Sequence, residues 1–188
     1  MSLKDKEKWN AKYDSSTCLA GREPSRWLVD HADLLDGRGK ALDIAMGEGR
    51  NTLFAASLGY EAWGVDISDI GTSRAQSLAQ ESNLTIYTRI ADLDDFKIDE
   101  SAYDLIICFY FLDRRLFEAI PKGLKPGGIL IFETFTVDYL KYSGFKREWV
   151  LEKNELREAF PGMSVIDYQE VDEPENEAAY ASLVARKE

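Results

Sequence analysis

Residues 41–51 read ALDIAMGEGRN: an apolar run holding one acid, Asp43, breaks into two glycines spaced by a single residue, Gly47 and Gly49, ahead of an Arg-Asn pair. An apolar strand that ends in a glycine turn lets ligand atoms approach the backbone, and a helix that follows it presents unpaired N–H groups. This is the geometry of a nucleotide-like ligand site. A nucleoside triphosphate requires GxxxxGK[ST], and neither GKS nor GKT occurs in the chain. A dinucleotide requires GxGxxG or GxGxxA. Gly47 and Gly49 supply the first two positions, but Thr52 falls on the third, where a β-branched side chain obstructs close helix-to-strand packing. That reading is weakened and survives.

Outward from this loop the chain alternates regularly. KALDIAM reads as a strand and NTLFAASLGY as a helix stopped at Gly59. EAWGVDI is the next strand, followed by a helix capped by Ser68 and weakened by Gly71. LTIYTRI, YDLIICFYF and GILIFETF are further strands. RRLFEAIPKGL is a helix interrupted at Pro121, and KPGG is a turn. Five such alternations point to a parallel α/β sheet with helices on both faces. At the end, MSVIDYQEV and YASLVARK are separated only by the acidic turn DEPENEA. Strands so joined pair antiparallel, because a parallel return needs a crossover of about a dozen residues. Before the sheet, residues 3–14 form a short helix with Trp9 and Tyr13 on one side, 15–23 a loop, and Pro24 opens a helix striped with Trp27, Leu28, His31, Leu34 and Leu35. EKNELREAF is a helix candidate after the connection 136–152.

The chain has 188 residues, 45% of them hydrophobic, which suits one domain, 1–188, with a helical cap over 1–36 and a sheet core over 40–188. Its net charge of −11 argues against nucleic acid and anionic membrane as partners. Cys18 and Cys108 form no CxxC, the charged MSLKDKEKWN start is unlike a signal peptide, and no apolar run is long enough to span a bilayer, so a cytoplasmic protein with reduced thiols is expected.

A third ligand class enters through resemblance. ALDIAMGEGRN resembles motif I of the class I S-adenosylmethionine-dependent methyltransferases, an acid-x-G-x-G-x-G pattern carried here by Asp43, Ala45, Gly47 and Gly49; alanine departs from the usual glycine and is tolerable if its φ stays negative. Asp66 in WGVDIS, Asp92 in RIADLDDF, the YDLIICFYFL strand and LKPGGILIFETF resemble the family's later motifs, LKPGG being the most specific. The short chain, the WNAKY start, EPSRWL and DxAxGxGRN resemble a small-molecule group that includes tellurite-resistance methyltransferases. The resemblance implies a Rossmann-like, doubly wound seven-stranded sheet in the order 3-2-1-4-5-7-6, mostly parallel with an antiparallel C-terminal strand. It also implies a cytoplasmic monomer or homodimer that binds S-adenosylmethionine, releases S-adenosylhomocysteine, holds no metal and methylates a small molecule. Asp66 then accepts the ribose hydroxyls, with helix capping as its alternative; Asp43 supports the loop or the donor's ammonium; Asp92 meets the adenine amino group, with a solvated acidic loop as its alternative. The remaining donor contacts implied are Tyr13, Asn51, Ile67, Leu93 and the backbone of Cys108, with Arg22 an equal candidate for a solvated loop residue.

The acceptor has no fixed motif. Phe109, Tyr110 and Arg114 after the fourth strand, and Tyr139, Tyr142 and Arg147 after the fifth, are acceptor-pocket candidates, with a surface patch as the plainer reading of the later three. His31, the sole histidine, is read as a packing residue. Methyl transfer from a sulfonium needs alignment more than acid–base groups, and a soft anionic acceptor needs no base at all. A nicotinamide oxidoreductase and a non-catalytic cofactor-binding domain remain as alternatives.

Overall fold

A computed structural model describes residues 3–15, 19 and 21–188; Cys18 lies outside them. Helix α1 covers Leu3–Asp14 and α2 covers Arg26–Asp30. The alternation then runs β1 (Lys40–Ile44), α3 (Arg50–Leu58), β2 (Glu61–Asp66), α4 (Asp69–Glu81), β3 (Ile86–Ile90), β4 (Tyr103–Phe109), α5 (Leu116–Gly123) and β5 (Leu124–Phe135). One-turn α6 (Glu155–Glu158) precedes β6 (Met163–Glu173) and β7 (Ala178–Lys187). The seven strands form one sheet ordered β3-β2-β1-β4-β5-β7-β6, with β7 antiparallel to both β5 and β6. The expected order and the reversed terminal hairpin are both present.

The central strand β4 explains the layers. Leu105, Ile106, Ile107 and Cys108 are fully buried, with Leu105 and Ile107 on one face of the sheet and Ile106 and Cys108 on the other. A near-continuous apolar run is what a strand covered on both faces requires. Phe132 on β5, with Phe117 and Phe160 in edge and tilted contact around it, fills one core. Leu28 of α2 seals the other.

Several elements depart from the periodic reading. The helix expected from Pro24 to Leu35 stops at Asp30: His31 leaves helical geometry, its Nδ1 lies 2.8 Å from the Trp27 carbonyl and its Nε2 3.0 Å from Asp167 on β6. A tertiary contact ends the helix, and a 3-10 turn, Ala32–Leu34, follows. Helix α5 runs through Pro121 to Gly123 rather than breaking at it, forgoing the one bond that a residue with an N–H at 121 would donate to the Phe117 carbonyl. KPGG is a bulge inside β5: Leu124 pairs with Tyr103 and Ile129 with Leu105, so the four residues between loop out of register. The helix expected over EKNELREAF shrinks to α6, preceded by Asn154 at φ 62° with its amide donating to Glu170.

The obstruction expected at Thr52 is removed by Gly64 on β2. Thr52 is fully buried in the first turns of α3, and a Cβ on Gly64 would lie 1.9 Å from the Met46 sulfur and 3.1 Å from Thr52 Oγ1. The missing side chain on the strand offsets the extra one on the helix. Gly64→Ala is therefore expected to destabilise the fold by about 1–3 kcal/mol through overpacking, read as a lowered urea midpoint. An unchanged midpoint would show that the seam between β1, β2 and α3 has slack.

Candidate functional site

Strand β1 ends at Ile44 because Ala45 takes φ 58°, the left-handed region, rather than the negative φ its methyl favours. The condition set for tolerating alanine is thus not met, and the strain is held by surrounding bonds. Met46 N–H donates to the Val65 carbonyl on β2 and Gly49 N–H to the Met46 carbonyl. Gly47 (φ 57°) faces Tyr13 of α1, whose hydroxyl lies 2.6 Å from where a Gly47 Cβ would stand. Gly71 lets the first turn of α4 meet the same loop, since its Cβ would fall 3.1 Å from the Gly47 carbonyl oxygen. The Ser68 hydroxyl caps α4 by accepting from Gly71 N–H.

Two buried acids brace the loop. Asp66 accepts from Gly47 N–H and Ser68 N–H, each at 2.8 Å, so it secures the loop and the start of α4 together. Burial pushes its carboxyl upward against those two amide bonds. Asp43 accepts from Thr52 Oγ1 at 2.7 Å, and burial raises its pKa to about 7, the Thr52 bond and Arg50 only partly opposing it. Asp43, Asp66 and the loop open into a cleft of about 380 Å³.

The cleft gathers most of the candidates. Tyr13, Asp43, Ala45, Gly47, Asn51, Asp66 and Ile67 line it, as do Phe109 and Tyr110. Asn51 also accepts from Ser25 N–H at 2.8 Å, fastening the start of α2 to α3. Gly49 stands behind the loop, where a Cβ would press 2.7 Å from Ala75 of α4. Leu93 packs into the core, Asp92 accepts from Asp94 N–H, and neither lines the cleft. Cys108 is fully buried with its thiol pushed well up by burial, and its Sγ donates to the Phe111 carbonyl.

The charged acceptor candidates lie elsewhere. Arg114 forms a two-point pair with Glu155 at 2.5 and 2.8 Å and donates to the Glu148 and Val150 carbonyls, which ties α5 to the later connection. Arg147 pairs with Glu152, Tyr142 donates to Asp172, and Arg22 faces Glu81. Tyr139 stands beyond the cleft wall, stacked at 4.0 Å on Phe135, which does line the cleft. Trp9 also lines the cleft, beside Tyr13.

Sequence reasoning missed Arg50, Phe135 and Glu133. Glu133 is 6% exposed, accepts from Tyr110 Oη at 2.7 Å and Ser182 Oγ at 2.8 Å, and is raised by burial. Its one signal was an acid standing alone near the end of the apolar run GILIFETF.

A parallel sheet reversed only at its last strand, with a glycine loop after β1 braced by the acid ending β2, is the architecture shared by class I S-adenosylmethionine-dependent methyltransferases, and the chain is similar to that family in fold and in sequence. A family model described as a methyltransferase domain matches residues 41–128. The chain is similar to the "Probable S-adenosyl-L-methionine-dependent methyltransferase TehB" of Haemophilus influenzae, 28% identical over 199 residues, covering 97% of this chain and 67% of that protein. A ubiquinone biosynthesis O-methyltransferase of Burkholderia vietnamiensis is 30% identical over 122 residues, covering 62% of this chain and 52% of its own. The crystal structure of TehB from Haemophilus influenzae superposes with a TM-score of 0.73 at 23% identity, over 97% of this chain and 67% of that one. The matching family model and both of these relatives are methyltransferases by description.

The floor of the cleft fits such a donor, because two acids held raised by burial gain from a ligand that brings an ammonium, a sulfonium and hydroxyl donors.

Two consequences are measurable. Ala45→Gly relieves a left-handed alanine, which costs about 1–2 kcal/mol, less the chain entropy glycine adds on unfolding, about 0.4–1 kcal/mol. A small rise in melting temperature is expected; a fall would mean the methyl itself packs favourably. Burial holds the Asp43 carboxyl at about 7 in the folded chain, against 3.8 for an ordinary aspartate. The folded chain thus holds the proton more tightly, and this group's contribution to stability falls as pH climbs between those values. Denaturation of Asp43→Asn and the parent chain at pH 5 and pH 8 is expected to show the variant gaining relative stability at the higher pH. A constant difference would contradict it.

Proposed function

We propose that the chain transfers the methyl group of S-adenosylmethionine to a small-molecule acceptor by in-line displacement, in the cytoplasm. One observation carries this reading: the cleft has the acid-braced glycine loop at one side and an aromatic wall of Phe109, Tyr110, Phe111 and Phe135 at the other, within about 380 Å³. That is the scale of a small-ligand pocket, about 300–1,000 Å³, rather than of a macromolecular groove. The net charge of −11 argues in the same direction, since a polyanion would approach against the field.

Bound there, the donor supplies an activated methyl group and its own leaving group. The chain's residues do the positioning. Asp66 retains lone pairs beyond its two backbone bonds that would receive the ribose hydroxyls, Asp43 would hold the ammonium, and the Gly47 backbone would take the methionine part. Tyr13 and Trp9 of α1 cover the loop, excluding water and offering aromatic faces to a cation, a contact of about 0.5–2 kcal/mol. Asp92, Leu93 and Cys108, just past β3 and on β4, remain the proposed adenine side of the site. The similarity to TehB and to a ubiquinone biosynthesis O-methyltransferase, both methyltransferases by name, supports the small-acceptor reading.

Calorimetry with S-adenosylhomocysteine tests the donor side. Asp66→Asn, which keeps an oxygen for one of the Gly47 and Ser68 amides and removes the charge, is expected to weaken binding about 10–100-fold, the value of a charge-assisted bidentate contact of about 1.5–3 kcal/mol. Undiminished affinity in a folded variant removes Asp66 from the ribose. Radiolabelled methyl from the donor should appear in the small-molecule fraction of a cell extract; label confined to macromolecules rejects the small acceptor.

A further inference from the structure

The aromatic wall of the cleft holds a hydrogen-bonded pair, Tyr110 and Glu133. Tyr110 follows β4 at φ 55°, a left-handed conformation that an aromatic residue adopts only when its surroundings enforce it. The enforcement comes from one residue. Tyr110 N–H donates to the Glu133 carbonyl at 2.7 Å, and Tyr110 Oη donates to Glu133 Oε1 at 2.7 Å. Glu133 stands at the end of β5, its Oε2 accepting from Ser182 on the neighbouring β7. The ring of Tyr110 lies in the cleft wall with Phe109 and Phe135 at 6.2 and 5.1 Å, and the Arg50 guanidinium sits 5.9 Å over it.

We propose that Tyr110 is the catalytic residue that takes the acceptor's proton and Glu133 the positioning residue that receives Tyr110's own, so that the acceptor is a hydroxyl or thiol on an aromatic or apolar body rather than an anion needing no base. This rests on the methyltransferase reading above. In the step, the acceptor's O–H or S–H bond breaks and its electron pair forms the bond to the methyl carbon, while the carbon–sulfur bond of the sulfonium breaks and that pair stays on sulfur, leaving a thioether. The proton goes to Tyr110 Oη as Tyr110's proton moves to Glu133 Oε1, which ends neutral and returns the proton to water by the reverse path when product leaves. Burial and the facing carboxylate push the Tyr110 phenol well up, so it stays protonated and takes a proton only as it passes its own to Glu133. Glu133, also raised by burial, is a carboxylate suited to holding a proton for one turnover. The other groups facing the pair are Arg50 from α3, and Ser182 and Tyr180 from β7, Tyr180 donating in turn to Glu173 of β6. The aromatic wall supplies the face for the acceptor's apolar body.

The test measures S-adenosylhomocysteine release with phenol, catechol and thiophenol as protic probes and tellurite and selenite as anionic ones, across pH 6 to 9.5, alongside calorimetry with S-adenosylhomocysteine. Turnover of at least one protic probe is expected. Its kcat should rise with pH along one ionisation limb, fall about 100-fold or more in Tyr110→Phe, and lose that limb in Glu133→Gln, with product affinity unchanged in both. Ser182→Ala, which leaves the Tyr110–Glu133 bond intact, should keep the limb. Turnover of the anionic probes alone, no turnover of any probe by a chain that binds S-adenosylhomocysteine, or a Tyr110→Phe variant with full kcat overturns the assignment. Failure of the parent chain to bind S-adenosylhomocysteine instead strikes the methyltransferase reading beneath it.

Discussion

Much of this molecule hangs on the carboxylate of Asp66. It ends β2, accepts from Gly47 N–H in the loop after β1, and accepts from Ser68 N–H where α4 begins, so one side chain fixes three segments at the carboxyl edge of the sheet. Those amides lie where the loop and helix start offer no backbone partner, and leaving them unpaired in a buried setting costs about 1–3 kcal/mol each. With the loop fixed, Ala45 is held in its left-handed turn, α4 approaches closely enough to need glycine at 71, and Tyr13 of α1 docks against Gly47. The N-terminal helix is therefore placed by the ligand loop and by the start of α4, where Asn10 bonds Ser68 and Asp69, rather than by the sheet.

What was legible follows from which constraints are local. Strand and helix periods, turn residues and the short DEPENEA connection are properties of neighbouring residues, and they yield the parallel core and the antiparallel pairing of β6 with β7. The full strand order came from resemblance to a family, since periodicity does not say that β1 lies between β2 and β4. Helices α2 and α6 were overestimated because their limits are tertiary: the His31 contact with Asp167 and the Asn154 bond to Glu170 join residues 136 and 16 positions apart. Thr52 misled in the same way, its room being supplied by Gly64 on another strand.

The site was legible where alternation fixes position. A residue at the carboxyl end of a parallel strand faces the same edge whatever its neighbours do, which is why Asp43, Asp66 and Tyr110 were found from pattern and all three reach the cleft. Arg114 and Arg147 belong to connections without a period, and a long cationic side chain in such a segment takes the nearest carboxylate, here Glu155 and Glu152. Glu133 escaped notice for the opposite reason: it lies inside a run so apolar that its role as strand dominates the reading.

Asp43, Asp66 and Glu133 share one electrostatic condition. Each ends or nearly ends a strand, each is buried, and burial raises each in a chain that already carries a net charge of −11. Burying a carboxylate is costly, and three gathered at one edge of the sheet argue for a use at the cleft beyond the bracing that Asp66 provides. Two of the acids flank the loop and one lies behind the aromatic wall, which divides the cleft chemically: the loop side gains by meeting a cation, the wall side by receiving a proton. A reaction that consumes a sulfonium and releases a proton draws on both halves, and a cleft that merely bound the donor would have no use for the second. Glu133 thus favours turnover of a protic acceptor over passive binding of the donor.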